Sequence, residues 1–215
     1  MKSFTRPPAL IAGILAVVLA GLVLSACGGS DSSSSSNEPN GTDRAFATQM
    51  IDHHQLAIDM AKVAEDRADR PEIKTLAAAI ITAQEQEIAQ LKAVDKRLAA
   101  KNIETGDLKL PASMMGMNMD NSMLMTADPF DREFIDMMVP HHQGAIRMAR
   151  VQLAKGKDPQ LRKLATAIIA AQSKEIEQMN SWRMDWYGAE SSAGGVPPAD
   201  EKVTDDMPGM DHSGM

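Results

Sequence analysis

The chain has 215 residues, 22 Lys and Arg against 29 Asp and Glu, a formal net charge of −7, 17 methionines and one cysteine. An acidic balance argues against nucleic acid, which calls for a basic face, and a lone cysteine excludes an intrachain disulfide. Aromatic residues make up 3% of the chain and apolar–polar alternation is missing, so strands are not expected.

The chain opens with Lys2 and Arg6, then an apolar run over residues 9–24. That run has the length of a secretory signal core and is marginal for a membrane span. Leu24-Ser25-Ala26-Cys27 reads as a lipobox, so residues 1–26 are expected to be a lipoprotein signal peptide and Cys27 the lipidated residue. The expected location is the cell envelope: the outer face of the cytoplasmic membrane, or the periplasmic side, or secretion. Residues 27–41 are Ser-, Gly- and Asn-rich and predict a flexible tether.

Residues 42–188 are one domain's worth of chain. Within them, residues 43–91 align with residues 131–179 at an offset of 88, without a gap, and about 23 of the 49 pairs are identical. The repeats extend over 43–100 and 129–187. Each reads as two helices. In the second helix of the first copy, Ile73, Leu76, Ala77, Ile80, Ile81, Gln84, Ile88 and Leu91 recur at steps of three and four. Asp158-Pro159 and Asp128-Pro129 both read as an N-cap followed by proline in the first turn, and Gly156 as a helix-terminating glycine. Pro140, where the first copy has Asp52, predicts a kink or a helix restart. A short turn inside each copy makes its helices antiparallel, and one hairpin cannot bury its stripe alone. The fold class expected is all-α: an antiparallel four-helix bundle made of two tandem helical hairpins, with quasi-two-fold symmetry.

Between the copies, residues 112–126 form a Met-rich linker holding Met114, Met115, Met117, Met119, Met123 and Met125 without a helical apolar face. Residues 189–215, rich in Gly, Pro, Ser and Asp, predict a disordered tail that carries Met210, His212 and Met215.

Four of the five histidines form the pairs His53-His54 and His141-His142, at matching places in the two copies. Counted from the turn of each hairpin, His53 stands level with Gln84 and Glu87, and the second pair with Gln172 and Glu175, at about 1.5 Å rise per residue. Met50 and Met60 flank the first pair, Met138 and Met148 the second. Each hairpin can thus gather two thioethers, at least one imidazole, an amide and a carboxylate. Thioether with imidazole selects Cu(I), and Ag(I) by the same softness, over hard cations. A thioether needs no deprotonation, and exposed methionine in a flexible tract is a poor structural choice. The competing reading of the folded part is a buried polar network in which Glu or Gln satisfies each histidine and methionine fills the core. Glu87 and Glu175 either ligate metal or orient an imidazole.

Met138-Val-Pro-His-His-Gln-Gly-Ala-Ile-Arg-Met148 and Gln172-Ser-Lys-Glu-Ile-Glu-Gln-Met179 resemble the signature of the domain-of-unknown-function 305 family. The resemblance covers residues 43–187 as two units. It implies a ferritin-like helical bundle and, through the CopM-like members, copper binding in the bacterial envelope. Carried onto this chain it points to His141, His142, Met138 and Met148; the first copy departs at Asp52 and at Leu56, which stands in place of Gly144.

The expected function is therefore an extracytoplasmic lipoprotein that sequesters or buffers Cu(I) for copper tolerance or homeostasis, with a copper-handling protein as its expected partner and no catalytic role. The metal ligands expected are Met50, His53, His54, Met60, Glu87, Met138, His141, His142, Met148 and Glu175 in the bundle, and Met210, His212 and Met215 in the tail. Two alternatives stand beside it. A ferritin-like metal oxidase would need Glu-x-x-His, whereas Met50, Ile51, Met138 and Val139 occupy the places three residues before the paired histidines. A non-metal envelope protein would use a helix face to bind a partner.

Overall fold

A computed structural model describes residues 38–201. The signal peptide, Cys27, most of the tether and the tail residues Met210, His212 and Met215 lie outside the described residues. Regular structure within them is entirely helical: α1 (Gly41–Arg67), α2 (Pro71–Ala100), α3 (Ser122–Thr126), α4 (Phe130–Lys155) and α5 (Pro159–Tyr187). None of these helices is long and apolar enough to cross a membrane.

Local chemistry sets the ends. Asn40 caps α1 by accepting from the N–H groups of Thr42 and Asp43, and the Asp43 carboxylate returns a bond to the Asn40 N–H, completing a capping box. Pro71 and Pro159 occupy first-turn positions of α2 and α5, where a missing N–H is harmless, and Asp158 caps α5 through the N–H groups of Gln160 and Leu161. Gly188 ends α5 in the left-handed conformation, φ 81°.

Two local expectations change, and a third holds. Asp128 caps nothing: Pro129 itself is the N-cap of α4, without a side-chain bond. No restart occurs at Pro140, because α4 runs unbroken through it. Gly156 terminates α4 as expected, in extended conformation; a Cβ there would lie 2.2 Å from the Gln152 side-chain amide, which would have to move.

α1 packs along α2, and α4 along α5; the hairpins meet chiefly through α1 and α4, while α2 and α5 barely touch. The apolar residues fall into two half-cores. One holds Phe46, Met50, Leu91 and Leu98 with Met148, Val151, Leu161 and Ile168. The other holds Met60, Ile73, Leu76 and Ile80 with Phe134, Met138, Ile176 and Met179. The start of α1 therefore lies with the end of α4, and the end of α1 with the start of α4. The two central helices are antiparallel, and each half-core draws on both repeats.

Two buried carboxylates lock the hairpins together reciprocally. Asp43 on α1 accepts from the N–H groups of Lys157 and Asp158 in the α4–α5 turn and from Gln152 Nε2 at 2.6 Å. Its counterpart Asp131 on α4 accepts from the N–H groups of Asp69 and Arg70 in the α1–α2 turn, both at 3.1 Å. Each turn exposes N–H groups at the start of a helix, and each is capped by the opposite hairpin.

The disorder expected from residue 189 onward does not hold for residues 191–201, which dock on α4 and α5. Gln143 Nε2 donates to the carbonyls of Ala193 and Gly195, and Asn180 bonds Ser191 N–H and Gly194 carbonyl. Arg147 pairs with Glu201 at 3.0 Å, and Arg150 donates to the carbonyls of Pro197 and Pro198. Backbone carbonyls received by buried amides hold this segment, so its polar composition is no guide to its order. The Met-rich linker is likewise placed: Arg67 donates to the carbonyls of Leu124 and Ala127, and Leu124 is fully buried.

Candidate metal centre

α1 and α4 cross at His53 and His141, whose ring centroids are 3.8 Å apart. His54 and His142 lie further out, 6.3 and 6.2 Å from their sequence neighbours. All four side chains are fully buried, in a polar layer between the two half-cores that also holds Gln84 and Gln172. Adjacent helical residues point about 100° apart, so the members of each pair have different tasks. His53 and His141 face the opposite hairpin. His54 and His142 face their own hairpin partners: His54 Nε2 bonds Glu87 at 2.7 Å and His142 Nε2 bonds Glu175 at 2.8 Å. The carboxylates are only partly buried, at 17% and 22% exposure.

The two-fold relation breaks at one point. His141 Nε2 donates to the carbonyl of His53 at 3.0 Å. The matching acceptor for His53 would be the carbonyl of His141; instead His53 Nε2 donates to the carbonyl of Met115, in the linker, at 2.9 Å. The cause is Gly144. A Cβ at that position would sit 1.9 Å from the Met115 carbonyl oxygen. The linker lies in the space that a side chain would fill, and Leu56 fills it in the first copy. Gly116 completes the approach: its φ is +66°, and a Cβ there would be 2.5 Å from the Pro140 carbonyl.

These bonds fix the proton positions. A carbonyl oxygen only accepts, so the Nε2 atoms of His53 and His141 carry the hydrogen, and a neutral ring then presents its Nδ1 as a lone pair. Burial first, and the neighbouring His54 second, push His53 down to about 3. Burial, then His53 and His142, hold His141 well below the ordinary histidine range. Both rings are neutral at physiological pH. The Nδ1 atoms of His53, His54, His141 and His142 have no hydrogen-bond partner among the described residues, nor do the Oε1 atoms of Gln84 and Gln172. An unsatisfied buried polar atom costs about 1–3 kcal/mol, so a partner for these atoms is stabilising.

Met50, Met60, Met138 and Met148 are fully buried. Their grouping differs from the expectation that each hairpin gathers its own pair. Met50 shares a half-core with Met148, and Met60 shares the other with Met138. The two methionines of one repeat lie on opposite sides of the histidine layer, because α1 and α4 run antiparallel through it. Among the described residues no three His, Cys, Asp or Glu side chains converge as a metal-holding group. Donors near the imidazoles are thus the unpaired Oε1 atoms of Gln84 and Gln172 within the layer and the thioethers in the half-cores on either side, the latter suiting a soft ion.

Sequence reasoning brought the histidines level with Glu87 and Glu175 and singled out Gln84 and Gln172. It missed the Met115 carbonyl and the role of Gly144. The signal for the latter was present as the Leu56-to-Gly144 difference between two otherwise similar copies.

The family model described as "Domain of unknown function (DUF305)" matches residues 43–183 and 131–215. Among solved structures, CopM is 40% identical over 68% of this chain and 98% of its own; its Cu(I)-bound form superposes with a TM-score of 0.58. CopM has also been solved in apo, Cu(II)-bound and Ag-bound forms. A DUF305 fragment from Deinococcus radiodurans is 27% identical over 67% of this chain and 96% of its own, with a TM-score of 0.57. A curated relative, uncharacterized protein L153 of Acanthamoeba polyphaga mimivirus, is 43% identical over 51 residues, 24% of this chain and 34% of that protein.

Proposed function

The chain belongs to the DUF305 family, and on that footing we propose that it is a copper-binding protein of the cell envelope, sequestering or buffering Cu(I) in its buried histidine–methionine layer. The observation that carries this reading is the set of four buried imidazoles whose Nε2 atoms are all engaged and whose Nδ1 atoms all lack a partner. A neutral, oriented imidazole with an unpaired Nδ1, as in His53 and His141, is a good metal ligand, and an acceptor on the far nitrogen sets its tautomer. In this reading Glu87 and Glu175 orient His54 and His142, the Met115 and His53 carbonyls orient His53 and His141, and thioethers on either side supply the soft donors. The solved Cu(I)- and Ag-bound forms of CopM support the same metal class. The layer binds and holds the ion without a catalytic step. Lipidation at Cys27, attachment to the outer face of the membrane, tail ligation by Met210, His212 and Met215, and hand-over to a copper-handling partner belong to the same proposal.

The test is Ag(I) titration of the detergent-solubilised full chain, followed by the imidazole ¹⁵N resonances. Nδ1 signals of the four core histidines are expected to move, with Nε2 signals shifting less. A Met50→Leu/Met148→Leu variant, volume-conserving in a buried site, is expected to bind Cu(I) at least tenfold more weakly in anaerobic competition with a chromogenic chelator. Nδ1 resonances unmoved at saturating Ag(I) would overturn the assignment.

A further inference from the structure

Outside the histidine layer, a cavity of about 420 Å³ between α2 and α5 exposes Glu87, and one of about 400 Å³ lies beside α5 near Met184; neither gathers soft donors. A third cavity, about 370 Å³, lies between the Met-rich linker and the first half of α4. Its lining brings together three methionines from two elements, Met119 and Met123 of the linker and Met137 of α4, with the carboxylates of Asp120, Glu133 and Asp136.

Packing accounts only in part for these methionines: Met137 belongs to the half-core and Met119 packs against it, yet both also line the cavity. A core methionine is useful because its flexible thioether fills gaps, yet here three of them border a gap and leave it open. Met137 is 7% exposed and lines the cavity from the core side, while Met123 is 53% exposed and lines it from the solvent side. Met119 is partly buried against the half-core. Neutral thioethers line the cavity beside the carboxylates of Asp120 and Glu133, while Asp136 is paired with Arg183 at 3.1 Å; the two acids draw cations and the thioethers retain soft ones. The cavity is also bordered by Gly116 and Pro140, the residues at which the linker meets α4 beside the Met115 carbonyl that holds His53.

We propose that Met119, Met123 and Met137 form a second, solvent-accessible site for Cu(I) or Ag(I), separate from the histidine layer and one strap of backbone away from it. It takes a d¹⁰ ion by thioether ligation alone. It binds more weakly and exchanges faster than the buried layer, because Met123 must leave solvent to close it. The proposal shares the soft-metal reading of the chain but none of the residues that carry that reading.

The detergent-solubilised full chain, labelled with ¹³C at the methionine methyls and assigned through single Met→Leu variants, is titrated with silver nitrate. The methyls of Met119, Met123 and Met137 are expected to shift together with one midpoint. The M119L/M123L/M137L variant is expected to bind one Ag(I) fewer in equilibrium dialysis, with the core imidazole response intact. Should the triple variant not fold, M119L/M123L, which alters only linker residues, is expected to weaken the Met137 methyl response at least tenfold. Three methyls that stay unmoved, or that titrate with unrelated midpoints, overturn the site, as does full stoichiometry in the folded triple variant. If the three methyls shift while the imidazoles do not, the pocket stands and the buried layer falls; the reverse pattern removes the pocket alone.

Discussion

Gly144→Ala separates two opposed effects whose sizes can be set against each other. In a helix interior, alanine is favoured over glycine by about 1 kcal/mol, so propensity alone predicts stabilisation. The structure predicts the opposite. The new Cβ would stand 1.9 Å from the Met115 carbonyl oxygen and 2.2 Å from its carbon, both backbone atoms that no side-chain rotation can clear. The strap must lift, and His53 Nε2–H, fully buried, loses its acceptor at 2.9 Å. A buried donor left unpaired costs about 1–3 kcal/mol, and the displaced strap loses the burial of Gly116 and part of Met115. The net effect is destabilisation of about 1–3 kcal/mol, a fall in Tm of roughly 3–10 °C for a domain of this size. Thermal melts followed by circular dichroism at 222 nm measure it, and the His53 ring resonances report whether the bond is lost. A melt unchanged or raised, with the His53 signal in place, would refute the claim that the linker needs this glycine. Leu56→Ala at the matching position supplies the contrast: no strap lies there, so His53 and Met115 should keep their bond.

Asp43→Ala should cost about 3–5 kcal/mol, since it removes a buried carboxylate and strands the N–H groups of Lys157 and Asp158 together with Gln152 Nε2; urea unfolding measures it, and a loss below 1 kcal/mol would show that the turn does not depend on the clamp. Stability should also fall with acid in the metal-free protein. His53, held at about 3 when folded, takes up its proton near 6.5 when unfolded, so the unfolded state binds more protons throughout that window and the folded state loses ground as pH drops from 6.5. By pH 5 the loss is about 2 kcal/mol from His53, with a contribution of the same sign from His141. Asp131, raised by burial, acts in the opposite direction nearer pH 4, so the comparison belongs between pH 7 and 5, where an unchanged unfolding free energy would count against neutral buried rings.

The two hairpins are legible in the sequence because their determinants are local or repeated. Stripes at steps of three and four, Pro71 and Pro159 in first turns and the offset of 88 all survive without knowledge of contacts. The level match of His54 with Glu87 and of His142 with Glu175 is legible for the same reason: it needs only the helical rise and a short turn. What escapes is long-range. Asp43 looks like an ordinary first-turn acid and Asp131 like another, yet each caps a turn more than sixty residues away. The segment 191–201 looks disordered because it is rich in Gly, Pro and Ser, while the amides that receive its carbonyls and the core that Ala193 and Val196 pack against stand elsewhere in the chain. The exchange of methionine partners between repeats follows from the antiparallel crossing of α1 and α4, which periodicity within either hairpin does not encode.

That exchange reaches beyond the metal. Neither hairpin owns an interior: Phe46 is enclosed with residues of the second copy, Phe134 with residues of the first, and the histidine plane exists only where both are seated. A chain with one hairpin detached would therefore keep no intact half of the site and no intact half of the protein. On the proposed metal reading, occupation of the layer would act on the equilibrium between the whole and the unravelled chain, and the ion would serve as a rivet through two plates: drawn tight, it would leave neither free to swing away on its own.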